Sequence, residues 1–533
     1  MTGPVKPILE KKKIVLTFFR KNNLGIGEGM IGFDDEKYLQ AQADAILKRI
    51  EMFKGKLYLE FGGKLIQDQH AARVLPGYDL NCKIKLLQRL KDIVEIVYCI
   101  CAGDIEKGRI RGDFGLTYDT ATLKTFDDLE DFGFFINTVI VNRYHGEKAA
   151  DRFMNFLKGR GIRVYTQPEI QGYPADVEKI VSSEGYGRNP FVETNKPLVI
   201  VTGAGPGSGK MSTCLSQVYH HHLKGQSAGF AKFETFPIWN LPLRHPINVA
   251  YEAATADLQD KNMVDPFHLA AYGVTAINYN RDVENFSIMK EIINRVSDPN
   301  SPMLSYCSPT DMGVNRAKEG IISDEAVTKA AKQEIIRRYF RYAWELKQGL
   351  EKKETVEILE KLMQEVGVKP IDRPTVPAAR EAAGKAQDLG KGNRGVYCGA
   401  AIQLKDESII TGINTPLMHA ESAAILNAVK KLAGIPHEID LLSESLIKNI
   451  ATMKKDILGS KAESLNVEEV LIALSISAAN SPVSEVCLRK LEQLAGGEFH
   501  CTHIISKGDE NGLRKLRLNV TTDALPTSRG FYY

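Results

Sequence analysis

Residues 199–212 read VIVTGAGPGSGKMS and combine an apolar run, a glycine-rich turn and the start of a helix. The run PLVIVT is typical of a buried strand, and MSTCLSQVYHHHLKG after the turn is typical of a helix. A turn between a strand and a helix can aim backbone N–H groups at phosphate oxygens, and the helix N-terminus adds the positive end of its dipole. The stretch therefore predicts an α/β fold with a phosphate-type loop.

The loop departs from the pattern G-x-x-x-x-G-K-[ST] at two positions. Ala204 stands at the first glycine, and Met211 stands where a hydroxyl would bind magnesium. Ser212 and Thr213 follow one and two residues late, about 100° and 200° further round a helix. Three explanations stay open: the loop is one residue longer in effect, a metal is held by other groups, or no metal is bound.

We predict that a nucleotide or another phosphorylated small molecule binds at this loop, with ATP or GTP and Mg²⁺ as the expected cofactors. The residues predicted to bind it are Gly203, Gly205, Gly207, Ser208, Gly209, Lys210, Ser212 and Thr213. Lys210 would reach the terminal phosphates as a point charge, which makes it a catalytic candidate for phosphoryl transfer or hydrolysis. The competing interpretation is a non-catalytic scaffold or assembly protein in which the loop is only a tight turn.

Residues 236–285 are rich in Pro, Asn and Asp, which predicts a long irregular functional loop. Within it, TADLQDKNMVDPFH contains the acids predicted to help catalysis or hold a metal, Asp257 and Asp265, with Asp260 and Asp104 as alternatives. Ligands of an open parallel sheet bind beyond the carboxyl ends of its strands. The polar residues that follow predicted strands are Lys64, Arg109, Arg111 and Glu234, and each would equally suit a solvated surface.

Outside the loop, strand and helix patterns alternate, as in KLYLEF, EIVYCICAG, IRVYT and AGFAKFET with helical segments between them. This alternation predicts a doubly wound, mostly parallel sheet with helices on both faces over residues 30–322. A helical segment over 323–369 and a smaller α/β domain over 370–533 follow. A homo-oligomer is expected because the long helical segment can bury a partner's face.

The bulk composition excludes several classes of protein. The 533 residues have a formal net charge of +3, so no nucleic-acid partner is predicted. No apolar run reaches about 18 residues, so no membrane span is expected. Eight scattered cysteines without a CxxC pair favour reduced thiols and a cytoplasmic location. Residues 1–29 are basic, and we interpret them as an untargeted extension in preference to a transit peptide.

Three blocks, GPGSGKMSTCLSQVYH, KFETFPIWNLPL and EAATADLQDKNMVDPFHLAAYG, resemble one largely bacterial family, called uncharacterised protein family 0371 and domain of unknown function 1846. The resemblance runs from about Ile31 to about the C-terminus. It implies an α/β domain, a helical part and a C-terminal part of cytidine-deaminase-like topology, and it brings no activity with it. It also implies that Met211 belongs to the family's own loop.

The C-terminal part can be compared with zinc deaminases, which have H-x-E followed by P-C-x-x-C. His419-Ala420-Glu421 matches the first half, whereas the counterpart of the second half, residues 482–487, has valine at both thiolate positions and Cys487 out of register. His500, Cys501 and His503 alternate faces on a predicted strand. We predict a deaminase-like fold kept for structure or assembly, without zinc; a zinc-dependent deaminase-like hydrolase is the minor alternative.

Overall fold

The computed structural model of the protein describes residues 31–111 and 115–526. The chain divides at residue 370 into a larger unit, residues 32–370, and a smaller unit from residue 371 on. The helical segment predicted at 323–369 belongs to the larger unit. The predicted extension at 1–29 lies outside the described residues.

The larger unit contains eleven described strands. In chain order they are β1 (Lys56–Phe61), β2 (Val94–Cys101), β3 (Ile110–Arg111), β4 (Leu116–Thr117), β5 (Thr138–Asn142), β6 (Arg163–Gln167), β7 (Leu198–Gly203), β8 (Ala228–Phe233), β9 (Asn262–Val264), β10 (Ile277–Tyr279) and β11 (Gly313–Val314). Seven of them form a parallel sheet in the order β11-β8-β1-β7-β2-β5-β6. Two short antiparallel pairs, β3-β4 and β9-β10, lie outside this sheet. Every residue of β5 and β8 is buried, as expected for parallel strands that are covered on both faces.

Helices connect these strands and cover the sheet. They are α1 (Asp35–Phe53), α2 (Gln69–Val74), α3 (Cys82–Arg89), α4 (Ala102–Glu106), α5 (Tyr118–Asp131), α6 (Lys148–Gly159), α7 (Val177–Ile180), α8 (Lys210–Leu223), α9 (Pro246–Ala254), α10 (Pro266–Tyr272), α11 (Asn280–Val296), α12 (Pro309–Met312), α13 (Asp324–Lys347) and α14 (Lys353–Glu365). The helix that follows the glycine turn, α8, packs on β1, β7 and β8.

The long helix α13 buries one face inside its own unit. It packs against α9, α14 and α2, and Val327, Ile335 and Phe340 are buried there. The apolar face from which we expected a homo-oligomer is therefore covered within the chain. A homo-oligomer stays a prediction.

The expectation of a long irregular loop at residues 236–285 is wrong. This stretch contains α9, the β9-β10 pair, α10 and the start of α11. Its prolines and polar residues begin helices: Pro246 and Pro266 lie in the first turns of α9 and α10, after the N-caps His245 and Asp265. Proline is favoured there because the first helical N–H groups have no intrahelical acceptor.

The described strands of the smaller unit are β12 (Gly399–Gln403), β13 (Ile409–Ile413), β14 (Glu498–Cys501) and β15 (Asn519–Thr522). Its helices are α15 (Thr375–Asp388), α16 (Ala420–Ala433), α17 (Glu444–Thr452), α18 (Val467–Ala478), α19 (Pro482–Lys490) and α20 (Lys507–Lys515). The strands form a mixed sheet in the order β13-β12-β14-β15, in which only β14 and β15 run parallel. Helices α15 and α16 both pack on β12 and β13. Cytidine-deaminase-like topology stays a prediction.

All eight cysteines are free thiols, so no disulfide stabilises either unit. Among the described residues, none of the helices combines the length and the apolar composition that crossing a membrane requires.

Candidate functional site

Residues 203–210, called the glycine loop, lie at a divergence of the larger sheet. The chain leaves β7 toward β8 on one side, whereas it leaves the adjacent β2 toward β5 on the other. Such a divergence opens a crevice at the carboxyl edge of a parallel sheet, which is where ligands bind in this architecture. A second divergence lies between β1 and β8, whose connections lead to β2 and β11.

Side chains from neighbouring strands fix the shape of the glycine loop. Asn142, the last residue of β5, donates from Nδ2 to the Ser208 carbonyl at 2.7 Å. Arg143 donates to the Gly207 carbonyl at 2.9 Å, and Lys210 donates from Nζ to the Gly205 carbonyl at 3.3 Å. The loop is thus tied to the residues that end β5.

Two glycines cannot be replaced without disturbing this arrangement. Gly209 has φ +87°, and a Cβ there would lie 2.5 Å from the side chain of Asn142. A Cβ on Gly203 would lie 2.5 Å from both the Cys99 carbonyl and Ser208 Oγ. The loop therefore needs glycine for a left-handed backbone at one position and for close approach at the other.

The N-terminus of α8 offers positive charge at the loop. Gly209 provides no side-chain cap, and the first turn of this 14-residue helix contains no acidic residue. The N–H groups of Lys210, Met211 and Ser212 have no intrahelical acceptor, because the first turn of a helix always leaves its N–H groups unpaired. With the helix dipole and the Lys210 ammonium, this end of α8 favours an anion.

Ser212 and Thr213, whose hydroxyls were predicted to replace the one missing at Met211, differ in burial. Thr213 is fully buried: its Oγ1 donates to Gln167 Oε1 at 3.2 Å and accepts from Asn142 Nδ2 at 3.5 Å. Its hydroxyl belongs to the packing beneath the loop. Ser212 is only partly buried and lies beside Tyr186.

Asp257 and Asp265 are used elsewhere in the larger unit. Both Asp265 oxygens accept hydrogen bonds, from Phe267 N and His268 N at the start of α10 and from the Thr310 backbone and hydroxyl. Asp257 accepts from the Tyr342 hydroxyl at 3.0 Å. Among the described residues, no hydrogen bond or ion pair joins either carboxylate to the glycine loop, so their catalytic roles stay predictions.

Other predicted polar residues reach the edge of the loop. Asp104, which follows β2, pairs with Arg109 at 3.4 Å, and the Arg109 guanidinium lies over the Tyr118 ring. A Cβ on Gly205 would lie 3.0 Å from that same ring. The structure thus links Asp104 and Arg109 to the loop through Tyr118. Of the others, Asp260 pairs with Arg281, Lys64 follows β1, and Arg111 ends β3.

A buried charge cluster lies at the second divergence; sequence analysis named its Glu234 and missed Glu60, Lys232 and Asp282. Lys232 on β8 and Glu60 on β1 are paired in register, and Lys232 Nζ lies 2.7 Å from Asp282 and 3.9 Å from Glu234. Glu60 Oε2 is buried without a hydrogen-bond partner. The available signal was a charged residue inside each of two otherwise apolar strands, because a charge in a strand buried on both faces requires a partner.

Three carboxyl groups in this cluster, those of Glu60, Glu234 and Asp282, share one ammonium group, which favours protonation of one of them. Burial raises the pKa of Glu234 to about 8, and the nearby Asp282 and Glu60 charges act in the same direction against Lys232. Glu60 and Lys210 both act electrostatically on the buried thiol of Cys214.

We expect Glu234→Gln to stabilise the larger unit increasingly as pH rises. The folded-state pKa of about 8 exceeds the ordinary value of 4.5 for a glutamate, so the wild type loses stability as pH rises between these values. Glutamine is never charged and avoids this loss. The variant should gain more than about 1 kcal/mol on the wild type between pH 5 and pH 8.

Thermal unfolding followed by tryptophan fluorescence measures this difference, because both tryptophans, Trp239 and Trp344, lie in the larger unit. The control is Glu184→Gln, which removes an exposed carboxylate. A pH-independent difference between Glu234→Gln and the wild type would refute the shifted pKa.

In the smaller unit, His419, Glu421 and Asp509 come together at the start of two helices. One donor atom from each lies within 4.8 Å of the other two. His419 Nδ1 is 2.6 Å from Asp509 Oδ2, and the Cys501 thiol donates to Glu421 Oε1 at 2.8 Å. Burial, helped by the Asp509 charge, raises the pKa of Glu421 to about 7.

Cys487, from the segment that was compared with P-C-x-x-C, does not lie in this cluster. Cys487 is buried in the core near Lys430, at the far end of α16 from His419. Eleven residues of helix separate Lys430 from His419, which is about 16 Å. Asp509, which no motif indicated, stands beside His419 instead.

The expected alternation is confirmed for His500 and Cys501, whereas His503 lies beyond the end of β14. Cys501 faces Glu421, whereas His500 is buried against Thr521. His503 contacts the Thr502 hydroxyl. The three residues therefore do not form one ligand group.

Family models and relatives match nearly the whole chain. Residues 31–367 match the model of the domain of unknown function DUF1846, N-terminal, and residues 371–532 match its C-terminal counterpart. A UPF0371 protein of Clostridium tetani (strain Massachusetts / E88) is 50% identical over 503 residues, which is 94% of this chain and 99% of the relative. A UPF0371 protein of Clostridium botulinum (strain Langeland / NCTC 10281 / Type F) is 51% identical over 504 residues, with the same coverage. The chain is therefore a member of the UPF0371 family and has both DUF1846 domains.

Proposed function

We propose that the glycine loop binds the phosphate groups of a nucleotide or another phosphorylated small molecule. The observation that supports this most strongly is the uncapped N-terminus of α8, which begins with Lys210 at the divergence of β7 and β2. Backbone N–H groups and the helix dipole stabilise a phosphate dianion there, and Lys210 adds a full charge. The loop glycines let the ligand approach the backbone closely.

The reaction class that fits this proposal is phosphoryl transfer or hydrolysis. Lys210 would neutralise charge on the phosphate, and the loop amides would hold its oxygens. Thr213 is buried, and Asp257 and Asp265 accept hydrogen bonds away from the loop, so Ser212 and Asp104 are the groups that we propose to hold Mg²⁺, directly or through water.

Calorimetric titration of the full chain with ATP and with GTP, each with and without Mg²⁺, tests the proposal. A hydrogen bond to a charged group contributes about 1.5–3 kcal/mol, so Lys210→Ala should raise Kd about 10- to 100-fold. The matched control is Lys158→Ala, which removes an exposed lysine near the end of α6 and should leave Kd unchanged. Asp104→Asn should weaken binding only when Mg²⁺ is present.

The competing hypothesis is a scaffold in which the loop is a structural turn. It predicts no heat with either nucleotide, nor with pyrophosphate as the simplest phosphorylated probe. That result would overturn the proposal. Binding that persists unchanged in Lys210→Ala would place the ligand elsewhere and would equally overturn it.

A further inference from the structure

The cluster of His419, Glu421 and Asp509 in the smaller unit has the features of a cation site independent of the glycine loop. His419 immediately precedes α16, Glu421 is its second residue, and Asp509 is the third residue of α20. Two elements far apart in sequence thus present an imidazole and two carboxylates to one point. The donor atoms lie within 4.8 Å of one another.

Hydrogen bonds from outside the cluster hold its carboxylates in place. Asp509 is 1% exposed; Oδ1 accepts from Val467 N at 2.8 Å and Oδ2 accepts from Ser506 Oγ at 2.6 Å. Glu421 is 5% exposed and accepts from the Cys501 thiol. In metal sites, hydrogen bonds from neighbouring groups orient the ligands in this way.

Two buried carboxylates face each other, and a protonated His419 balances only one of them. The second carboxylate is costly to bury unless it takes up a proton, and a divalent cation would replace these protons. Ionic ligands 2.0–2.2 Å from one cation lie roughly 3–3.5 Å apart, so small side-chain movements and loss of the proton between His419 and Asp509 would suffice.

We propose that His419, Glu421 and Asp509 bind one divalent transition-metal cation of the zinc class. The imidazole nitrogen favours zinc-like cations over Mg²⁺ and Ca²⁺, which prefer oxygen ligands, and the Cys501 thiol bonded to Glu421 adds a sulfur atom beside the site. The expectation of no zinc rested on residues 482–487. This donor set includes Asp509 instead and assigns no deaminase chemistry.

Cobalt titration of the chelator-treated full chain tests the proposal. One equivalent of Co²⁺ should produce visible absorption bands that Zn²⁺ abolishes and Mg²⁺ does not. His419→Ala and Asp509→Asn should each weaken binding at least about 10- to 100-fold. The control His437→Ala removes an exposed histidine of the same unit and should change nothing.

Melting curves recorded with chelator show whether each variant still folds. Should His419→Ala or Asp509→Asn unfold, the isosteric Glu421→Gln and the wild-type titration still decide the question. Absence of a one-to-one cobalt complex in the wild type would overturn the proposal. Cobalt binding that is as tight in all three cluster variants as in the wild type would also overturn it.

Discussion

Replacing Glu334 with glutamine is expected to lower the free energy of unfolding of the larger unit by about 3–5 kcal/mol. The Glu334 side chain is completely buried in α13 and binds the guanidinium groups of Arg73, Arg337 and Arg338 at 2.5–2.9 Å. Glutamine keeps the shape but leaves these cations without their shared anion. Removing one partner of a buried ion pair is far more destabilising than removing an exposed pair.

The pH dependence of this effect has a definite sign. The three arginines hold the pKa of Glu334 well below the ordinary value of 4.5 for a glutamate, against the opposing effect of burial. A depressed pKa contributes stability that is fully present above about pH 4.5 and is lost as pH falls toward the folded-state pKa. The difference between Glu334→Gln and the wild type should therefore shrink under acidic conditions.

Urea unfolding followed by tryptophan fluorescence measures the loss in the larger unit alone, because both tryptophans lie there. Glu325→Gln is the matched control, since Glu325 is exposed in the first turn of the same helix. It should cost less than about 1 kcal/mol, the usual contribution of a charge to the helix dipole. Equal losses in the two variants would show that the buried cluster contributes little.

The parallel sheet could be predicted from the sequence because burial on both faces makes its strands continuous apolar runs. EIVYCICAG became β2 and PLVIVT became β7, within one or two residues. The glycine turn between β7 and α8 was predictable for the same reason, since strand, turn and helix are local patterns. Its place beside β2 depends on strand order, which a local pattern does not contain.

The residues around the loop depended on contacts between distant segments. Glu60 and Lys232 meet because β1 and β8 pair in register, although their segments are far apart in sequence. Asp265 illustrates the opposite case: the dipeptide Asp265-Pro266 is a local signal for a helix N-terminus, and we interpreted it as catalytic. Asp509 joins His419 only through the fold of the smaller unit.

Replacing Arg373 with methionine is expected to destabilise the smaller unit by about 3 kcal/mol or more. Arg373 lies just before α15 and is 1% exposed. Its guanidinium pairs with Glu498 at 2.5 Å and donates to the Asn519 carbonyl at 2.7 Å and to Thr521 Oγ1 at 3.0 Å. Methionine fills a similar volume but leaves acceptors on β14 and β15 without a donor.

Hydrogen exchange followed by mass spectrometry measures this effect, because neither tryptophan lies in the smaller unit. Peptides covering β14 and β15 should exchange about 100-fold faster in Arg373→Met, since each 1.4 kcal/mol corresponds to a factor of ten. Arg489→Met is the control: its 77%-exposed side chain pairs with Glu485 one helical turn away, an interaction that contributes less than about 1 kcal/mol. If both variants exchange at the same rate, the Arg373 contacts do not join α15 to the sheet, and the stability of this unit rests on its apolar core.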